Sequence, residues 1–246
     1  VIETLSLLVH ADAKVGKSTL GATCPAPILV LDAEGSWKFI PLRKIEWNPS
    51  SGPPPAADGT WDACIVQVRD WHTVSQTYQW MQAGQHQFQS VVIDSISEIQ
   101  RRCKQNLVGT DAMKMQDWGT ILALMDATIR GFRDLTLHPT NPVRVAMFIA
   151  ETRKNDSGKW VPYMQGQISI ALPYWMDIVG YLYVQQMTDD NGQPTIPMRR
   201  LLISPHPQFE SGERVQGRLG AVVDQPNITS MFMTIYPHLN QGATTQ

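Results

Sequence analysis

Ala11-Asp12-Ala13-Lys14-Val15-Gly16-Lys17-Ser18-Thr19 follows the apolar run Leu5-Ser6-Leu7-Leu8-Val9, and the reading of that join decides the fold. It reads as a phosphate-binding loop. A strand, a loop and a helix beginning near Gly16 aim backbone N–H groups and a positive helix end at one point, where Lys17 adds a mobile charge. All nine residues are therefore candidate nucleotide-binding positions, and the geometry suits a triphosphate. The consensus has Gly at its first position where this chain has Ala11, so the backbone there must take a conformation that a methyl group permits.

Outward from the loop, the 246 residues suit one α/β domain with an insertion, so 1–246 is read as a single domain. Hydrophobic residues make up 43 % and charged residues 17 %, and no apolar run approaches the roughly 20 residues of a membrane span. No membrane partner is expected. The first ten residues have no basic leader and no cleavage site, and they are read as the strand feeding the loop rather than as a targeting signal. Cys24, Cys64 and Cys103 are odd in number and lack metal-type spacing, which argues against zinc and for a reducing, cytoplasmic setting. The net charge of −2 gives no bulk attraction to nucleic acid, so any such binding needs a local basic surface. The chain opens on Val1 rather than Met, which reads as a processed or truncated start.

Three further apolar runs end in acids. Ile28-Leu29-Val30-Leu31 leads into Asp32-Ala33-Glu34-Gly35, Val91-Val92-Ile93 into Asp94-Ser95, and residues 143–149 into Glu151-Thr152-Arg153-Lys154. Each acid thus stands at the carboxyl end of a buried strand, where ligands of open α/β sheets bind. A carboxylate such as Asp94, downstream of a phosphate loop, is what a magnesium site needs. Ser95 and Glu98 make a capping box for a helix over 96–107. Residues 71–81 and 117–137 read as amphipathic helices, the second presenting Trp118, Ile121, Leu122, Met125, Ile129 and Phe132 inward. The Pro-, Gly- and Ser-rich segment 43–62 reads as a surface insertion, and 108–116 and 152–167 read as loops. Residues 178–184 and 198–203 form a hairpin turned through Asp189-Asp190-Asn191-Gly192. Residues 206–218 read as irregular, a last helix is expected near 227–236, and 237–246 is read as a flexible tail.

Together these motifs resemble the RecA-type recombinase ATPases, and within them the small phage-encoded RecA-like ATPases of the Sak type, over residues 5–231. The resemblance implies a RecA-like P-loop NTPase core with a mostly parallel central sheet flanked by helices and a C-terminal antiparallel hairpin. It implies ATP and Mg²⁺, with Lys17 on the β- and γ-phosphates, Ser18 and Asp94 on the metal, and Glu34 as the group that polarises the attacking water. Glu151 stands where those recombinases carry a glutamine that senses the γ-phosphate. A carboxylate repels phosphate, so Glu151 is expected to reach metal, water or a base such as Arg153. The resemblance further implies self-association into a ring or filament, with ATP at the subunit interface and Arg214 reaching a neighbour's site; Arg218 is a second candidate. Single-stranded DNA is the implied substrate, with a single-strand-binding protein as a further partner and the host cytoplasm as the location. DNA would meet Arg153, Lys154, Lys159, Trp160 and Tyr163, which combine charge neutralisation with faces for base stacking. Arg101, Arg102 and Lys104 read as an ordinary helix surface. Two other functions fit the same motifs: a nucleoside-kinase-like phosphotransferase, and a nucleotide-bound assembly module with negligible hydrolysis.

Overall fold

The structure, a computed structural model, describes residues 3–189 and 191–239. Val1, Ile2, Asp190 of the expected hairpin turn and residues 240–246 of the expected tail lie outside the described residues. The run before the loop forms β1 (Leu5–Ala11), buried along its whole length. There follow α1 (Lys17–Gly21), β2 (Ile28–Asp32), β3 (Lys44–Glu46), β4 (Ala63–Gln67), α2 (Trp71–Gln82), β5 (Ser90–Asp94), α3 (Ile96–Val108) and α4 (Met115–Asp134). The second half runs β6 (Val145–Lys154), β7 (Trp160–Pro162), α5 (Ile168–Ala171), β8 (Ile178–Gln185), β9 (Met198–Leu202), β10 (Gly212–Glu213), β11 (Val222–Asp224) and α6 (Ile228–Ile235).

Among the described residues the sheet order is β11-β9-β8-β1-β6-β5-β2-β4-β3, with β10 on β8 and β7 on β6. From β8 through β1 to β3 the pairings are parallel. β9 returns antiparallel on β8, and β11 antiparallel on β9. This is the expected mixed α/β architecture of a P-loop NTPase, with antiparallel strands at the C-terminal edge. β6 lies between β1 and β5, so the strand carrying Glu151 separates the phosphate loop from Asp94.

Strand alternation explains why both faces are covered. Leu8, Leu31, Val66, Ile93 and Phe148 point to the side packed by Val74 and Met81 of α2, Ile99 of α3 and Ile121, Met125, Ile129 and Phe132 of α4. Their neighbours Leu7, Val9, Val30, Val92 and Ile149 point to the side packed by Leu20 of α1 and by Ile228, Phe232 and Ile235 of α6. Each such aliphatic side chain contributes about 1.5–3 kcal/mol by leaving water. Asn227 starts α6 by accepting from Ser230 N at 3.0 Å.

Several expectations are corrected. Segment 43–62 lies mostly at the surface but is anchored: it contains β3 and a 3-10 turn at Pro49–Ser51, and Trp47, Pro49 and Trp61 are buried. Tryptophan area outweighs the Pro/Gly composition there, and the Lys44 ammonium holds the preceding turn by donating to the carbonyls of Trp37 and Ile40 at 2.9 and 2.8 Å. Segment 152–167 is largely a hairpin, because β6 runs on past the sheet and pairs antiparallel with β7. Segment 206–218 contributes β10, which completes the edge of β8. The helix after the phosphate loop has five residues, so its macrodipole is small. Only one half of the expected capping box forms: Ser95 Oγ accepts from Glu98 N at 3.3 Å, while the Glu98 carboxylate pairs with Arg101 and Arg102, each at 3.0 Å. At the start of the expected tail, residues 237–239 form a 3-10 turn, and Leu239 packs on the core.

Candidate nucleotide site

The carboxyl ends of β1, β2, β5 and β6 surround a cavity of about 670 Å³, lined by the loop from Ala11 to Thr19 (Val15 apart) together with Glu34, Ser36, Ile40, Asp94, Glu151 and Thr152. Ala11 needs no glycine conformation, because it is the last residue of β1 and pairs with Glu151 across the sheet. The turn is taken later, at Lys14 (φ 64) and Gly16 (φ 104). The second of these favours glycine, and it brings the chain round so that Lys17 and Ser18 face the cavity.

The Lys17 ammonium donates to the carbonyls of Ala11 and Asp12 at 3.1 and 2.9 Å. Burial lowers its pKa, opposed by the nearby carboxylates of Glu34, Asp94, Glu151 and Asp12. Ser18 Oγ donates to Asp94 Oδ2 at 2.6 Å. The same oxygen accepts from the Trp37 indole N–H at 2.9 Å and from Ser36 Oγ at 3.3 Å. Asp94 is buried, and its pKa is raised, chiefly by that burial and further by Glu34 and Asp32, against the lowering effect of the Ser18 and Trp37 bonds. A desolvated carboxylate facing other acids is a site that gains from a cation.

Asp32 and Glu34, neighbours in sequence, do different work. Asp32 is buried and accepts from the backbone N–H groups of Gly35, Ser36 and Trp37 at 2.8, 3.2 and 3.2 Å. It therefore builds the turn that sets Glu34 and Ser36 in the cavity wall and Trp37 against Asp94. Glu34 is exposed to the cavity and accepts from Ser95 Oγ at 2.5 Å. The two strand-end acids Asp32 and Asp94 are paired in register.

Glu151 meets Arg101 rather than Arg153: the guanidinium spans both carboxylate oxygens at 2.7 and 2.8 Å. Arg101 is thus part of the site's rim and not an ordinary helix surface. Its reach across follows from Ser97, at the start of α3, accepting from Glu151 N at 3.1 Å. Below the loop His10 is fully buried between Thr152 Oγ1 at 3.0 Å and the Glu210 carbonyl at 2.7 Å. Burial pushes its pKa down to about 4.

Among the described residues no cluster of three or more His, Cys, Asp or Glu is arranged to hold a metal alone. One hydroxyl, Ser18, and one carboxylate, Asp94, are oxygen donors that would suit Mg²⁺, a hard cation that keeps several waters. Glu34, Lys17, Ser18, Asp94 and Glu151 are therefore brought to one cavity. Arg214 is not: its backbone N–H donates to Asp177 O at 2.8 Å, and Asp177 joins Ser6 near the start of β1. At about 3.3 Å per residue this is on the order of 17 Å from Ala11. Its guanidinium donates to the Tyr174 carbonyl, and Arg218 caps the end of α6 at Ile235 O, 2.7 Å.

The five DNA candidates lie on or beside the β6–β7 hairpin, beginning two positions beyond Glu151. Arg153 and Lys154 are exposed, with their charges over Tyr163 and Trp160 at 5.3 and 5.1 Å. Lys159 is bound to Glu210 at 2.8 Å. Sequence reasoning missed Ser36, Trp37, His10, Arg101 and Arg199, whose side chain crosses Gly16; the acid-after-strand signal that found Asp94 has no counterpart for them. No helix among the described residues is long and apolar enough to cross a membrane. A family model described as an AAA domain matches residues 3–215. No curated protein matches the chain.

Proposed function

The chain belongs to the AAA domain family, a P-loop NTPase type, and from that premise we propose that it is a Mg²⁺-dependent ATPase acting on single-stranded DNA in recombination, of the RecA-like phage type suggested by its motifs. The observation that carries the nucleotide part is the 2.6 Å contact of Ser18 with buried Asp94, facing Lys17 and Glu34 across one cavity. Lys17 binds the β- and γ-phosphates by exchanging its two loop carbonyls for phosphate oxygens. Ser18 and Asp94 hold Mg²⁺, which supplies neutralisation of the charge gathering on the phosphate oxygens. Glu34 accepts the proton of the attacking water, and Ser95 keeps its carboxylate turned to the cavity.

The proposed assembly is head to tail, and the distance of Arg214 from its own chain's cavity is compatible with it: in that arrangement Arg214 meets a neighbour's site, where it stabilises charge on the transferring phosphoryl group. Single-stranded DNA contacts Arg153 and Lys154 on the hairpin that grows out of the Glu151 strand, with Trp160 and Tyr163 offering ring faces. Lys159, paired with Glu210, contributes less. The working compartment is the cytoplasm.

A second reading, a nucleotide-bound assembly module with negligible turnover, is favoured by the Arg101 clamp on Glu151. Phosphate release with and without single-stranded DNA, on wild type, Lys17→Ala and Glu34→Gln, separates the two. DNA-stimulated release that disappears in Lys17→Ala and falls at least about a hundredfold in Glu34→Gln is expected. Tight ATP binding with no turnover at saturating DNA selects the module, and turnover that ignores DNA removes the DNA role.

A further inference from the structure

The two adjacent arginines of β9 differ sharply in what they touch. Arg200 is committed, its Nε 2.7 Å from Asp224 and its Nη1 2.7 Å from Gln185. Arg199 is exposed; its carbonyl accepts from Gln225 N at 2.8 Å, while its guanidinium has no hydrogen-bond or ion-pair partner among the described residues. Yet its side chain is placed: a Cβ built on Gly16 would stand 3.1 Å from its Nη1 and 3.2 Å from its Cδ and Cζ. The guanidinium lies across the one glycine of the phosphate loop, where only the missing side chain makes room for it. Beyond it opens a second cavity, of about 270 Å³, lined by Leu20, Leu182, Pro197, Met198, Arg199 and Gln225 among others.

We propose that Arg199 binds the nucleotide held in the phosphate loop of its own chain, on the α- and β-phosphates, where the triphosphate passes from the loop towards the second cavity. This rests on the loop being a nucleotide site. The side of contact follows from the sheet order. Glu34, Asp94 and Glu151 stand on β2, β5 and β6, on one side of β1, and fix the metal and the γ-phosphate there. Arg199 comes from β9, on the other side of β1. A ligand lying across the loop therefore presents its nucleoside half to Arg199. A guanidinium offers five N–H donors in a planar fork that matches phosphate oxygens, and no carboxylate among the described residues has to be displaced from this one. Unlike Arg214, it needs no neighbouring subunit.

Calorimetric titration of ATP and of ADP, each with Mg²⁺, into wild type, Arg199→Ala and Arg199→Lys tests this, together with thermal unfolding in the absence of nucleotide. Arg199→Ala is expected to weaken ATP and ADP alike by about tenfold, and Arg199→Lys by less, since the charge stays and the fork is lost. The deficit should narrow as salt is raised. The unfolding midpoint without nucleotide should stay at the wild-type value, because the side chain is exposed. Unchanged affinity for both nucleotides overturns the assignment, and so does a loss confined to ATP, which would put Arg199 on the γ-phosphate. A wild-type protein that binds neither nucleotide instead sinks the reading of the loop itself, and the role of Arg199 with it.

Discussion

On the β6, β5 and β2 side of the phosphate loop each carboxylate is already held: Asp94 by Ser18 and Trp37, Glu34 by Ser95, Glu151 by Arg101, with Asp32 spent on the turn. On the β8 and β9 side the Arg199 guanidinium lies across Gly16 and has no side-chain partner among the described residues. One flank is rigid before any ligand arrives, and the other waits for one. The difference follows the chemistry expected of each. Where charge develops during phosphoryl transfer, dipoles fixed in advance lower the barrier because they need no reorganisation. Where the unreacting part of a ligand is gripped, an exposed arginine is free to adapt.

The largest expected break in that contrast is Asp94→Asn, which keeps the shape of the rigid flank and removes its buried charge. Affinity for Mg²⁺-ATP, measured calorimetrically, should fall at least about a hundredfold, more than the loss of a supporting contact usually costs. Stability should move the opposite way. The folded state raises the Asp94 pKa through burial, so the wild-type carboxylate costs stability once the pH rises above its unfolded value near 4. The variant should therefore melt higher than wild type at pH 7 and lose that advantage as the pH falls through the carboxylate range. Equal midpoints at pH 7 would mean that the charge is not strained there.

Next in size is an acid effect at His10, which ties the two flanks beneath the loop. Its ordinary value of 6.5 is lowered to about 4 by burial, so the neutral ring contributes fully above pH 6.5 and its contribution drains away as the pH falls towards 4. The shift corresponds to about 3 kcal/mol. His86 is also pushed down to about 4 by burial, so the comparison is between wild type and His10→Gln across pH 7 to 4 by urea unfolding. Parallel pH profiles for the two proteins would deny His10 that role. The smallest expected effect sharpens the contrast. Arg101→Ala releases the Glu151 carboxylate, which the proposed function sets beside the γ-phosphate, and should weaken ATP about threefold relative to ADP, whereas Arg199→Ala should weaken both alike. An unchanged ATP-to-ADP ratio would place Glu151 away from the third phosphate.

The parts of this fold legible in the sequence are those specified by long apolar runs. β1, β2, β5 and β6 are buried on both faces and read as continuous aliphatic stretches, and α2 and α4 carry a helical stripe. β3, β7, β10 and β11 span two or three residues at edges or ends of strands, too short for any periodicity to show. Lys17, Ser18, Glu34 and Asp94 could be named because they follow strands or a loop pattern. Arg101 could not, since its contact depends on α3 lying along the end of β6, fifty positions away in the chain. Arg199 and His10 likewise depend on tertiary neighbours from distant segments. At 43–62 composition showed a surface segment but not its anchors, because composition describes how a chain bends, while Trp47 and Trp61 decide where it packs.

The indole of Trp37 gives the site an optical signature. Trp37 is fully buried, and among the chain's eight tryptophans it is the one whose N–H donates to a carboxylate among the described residues. Any cation that takes up the charge of Asp94 weakens the pull on that N–H and changes the field across the ring. The difference between the emission spectra of the wild type and Trp37→Phe then isolates one fluorophore, built in beside Asp94, that should respond to loading of the site without a label.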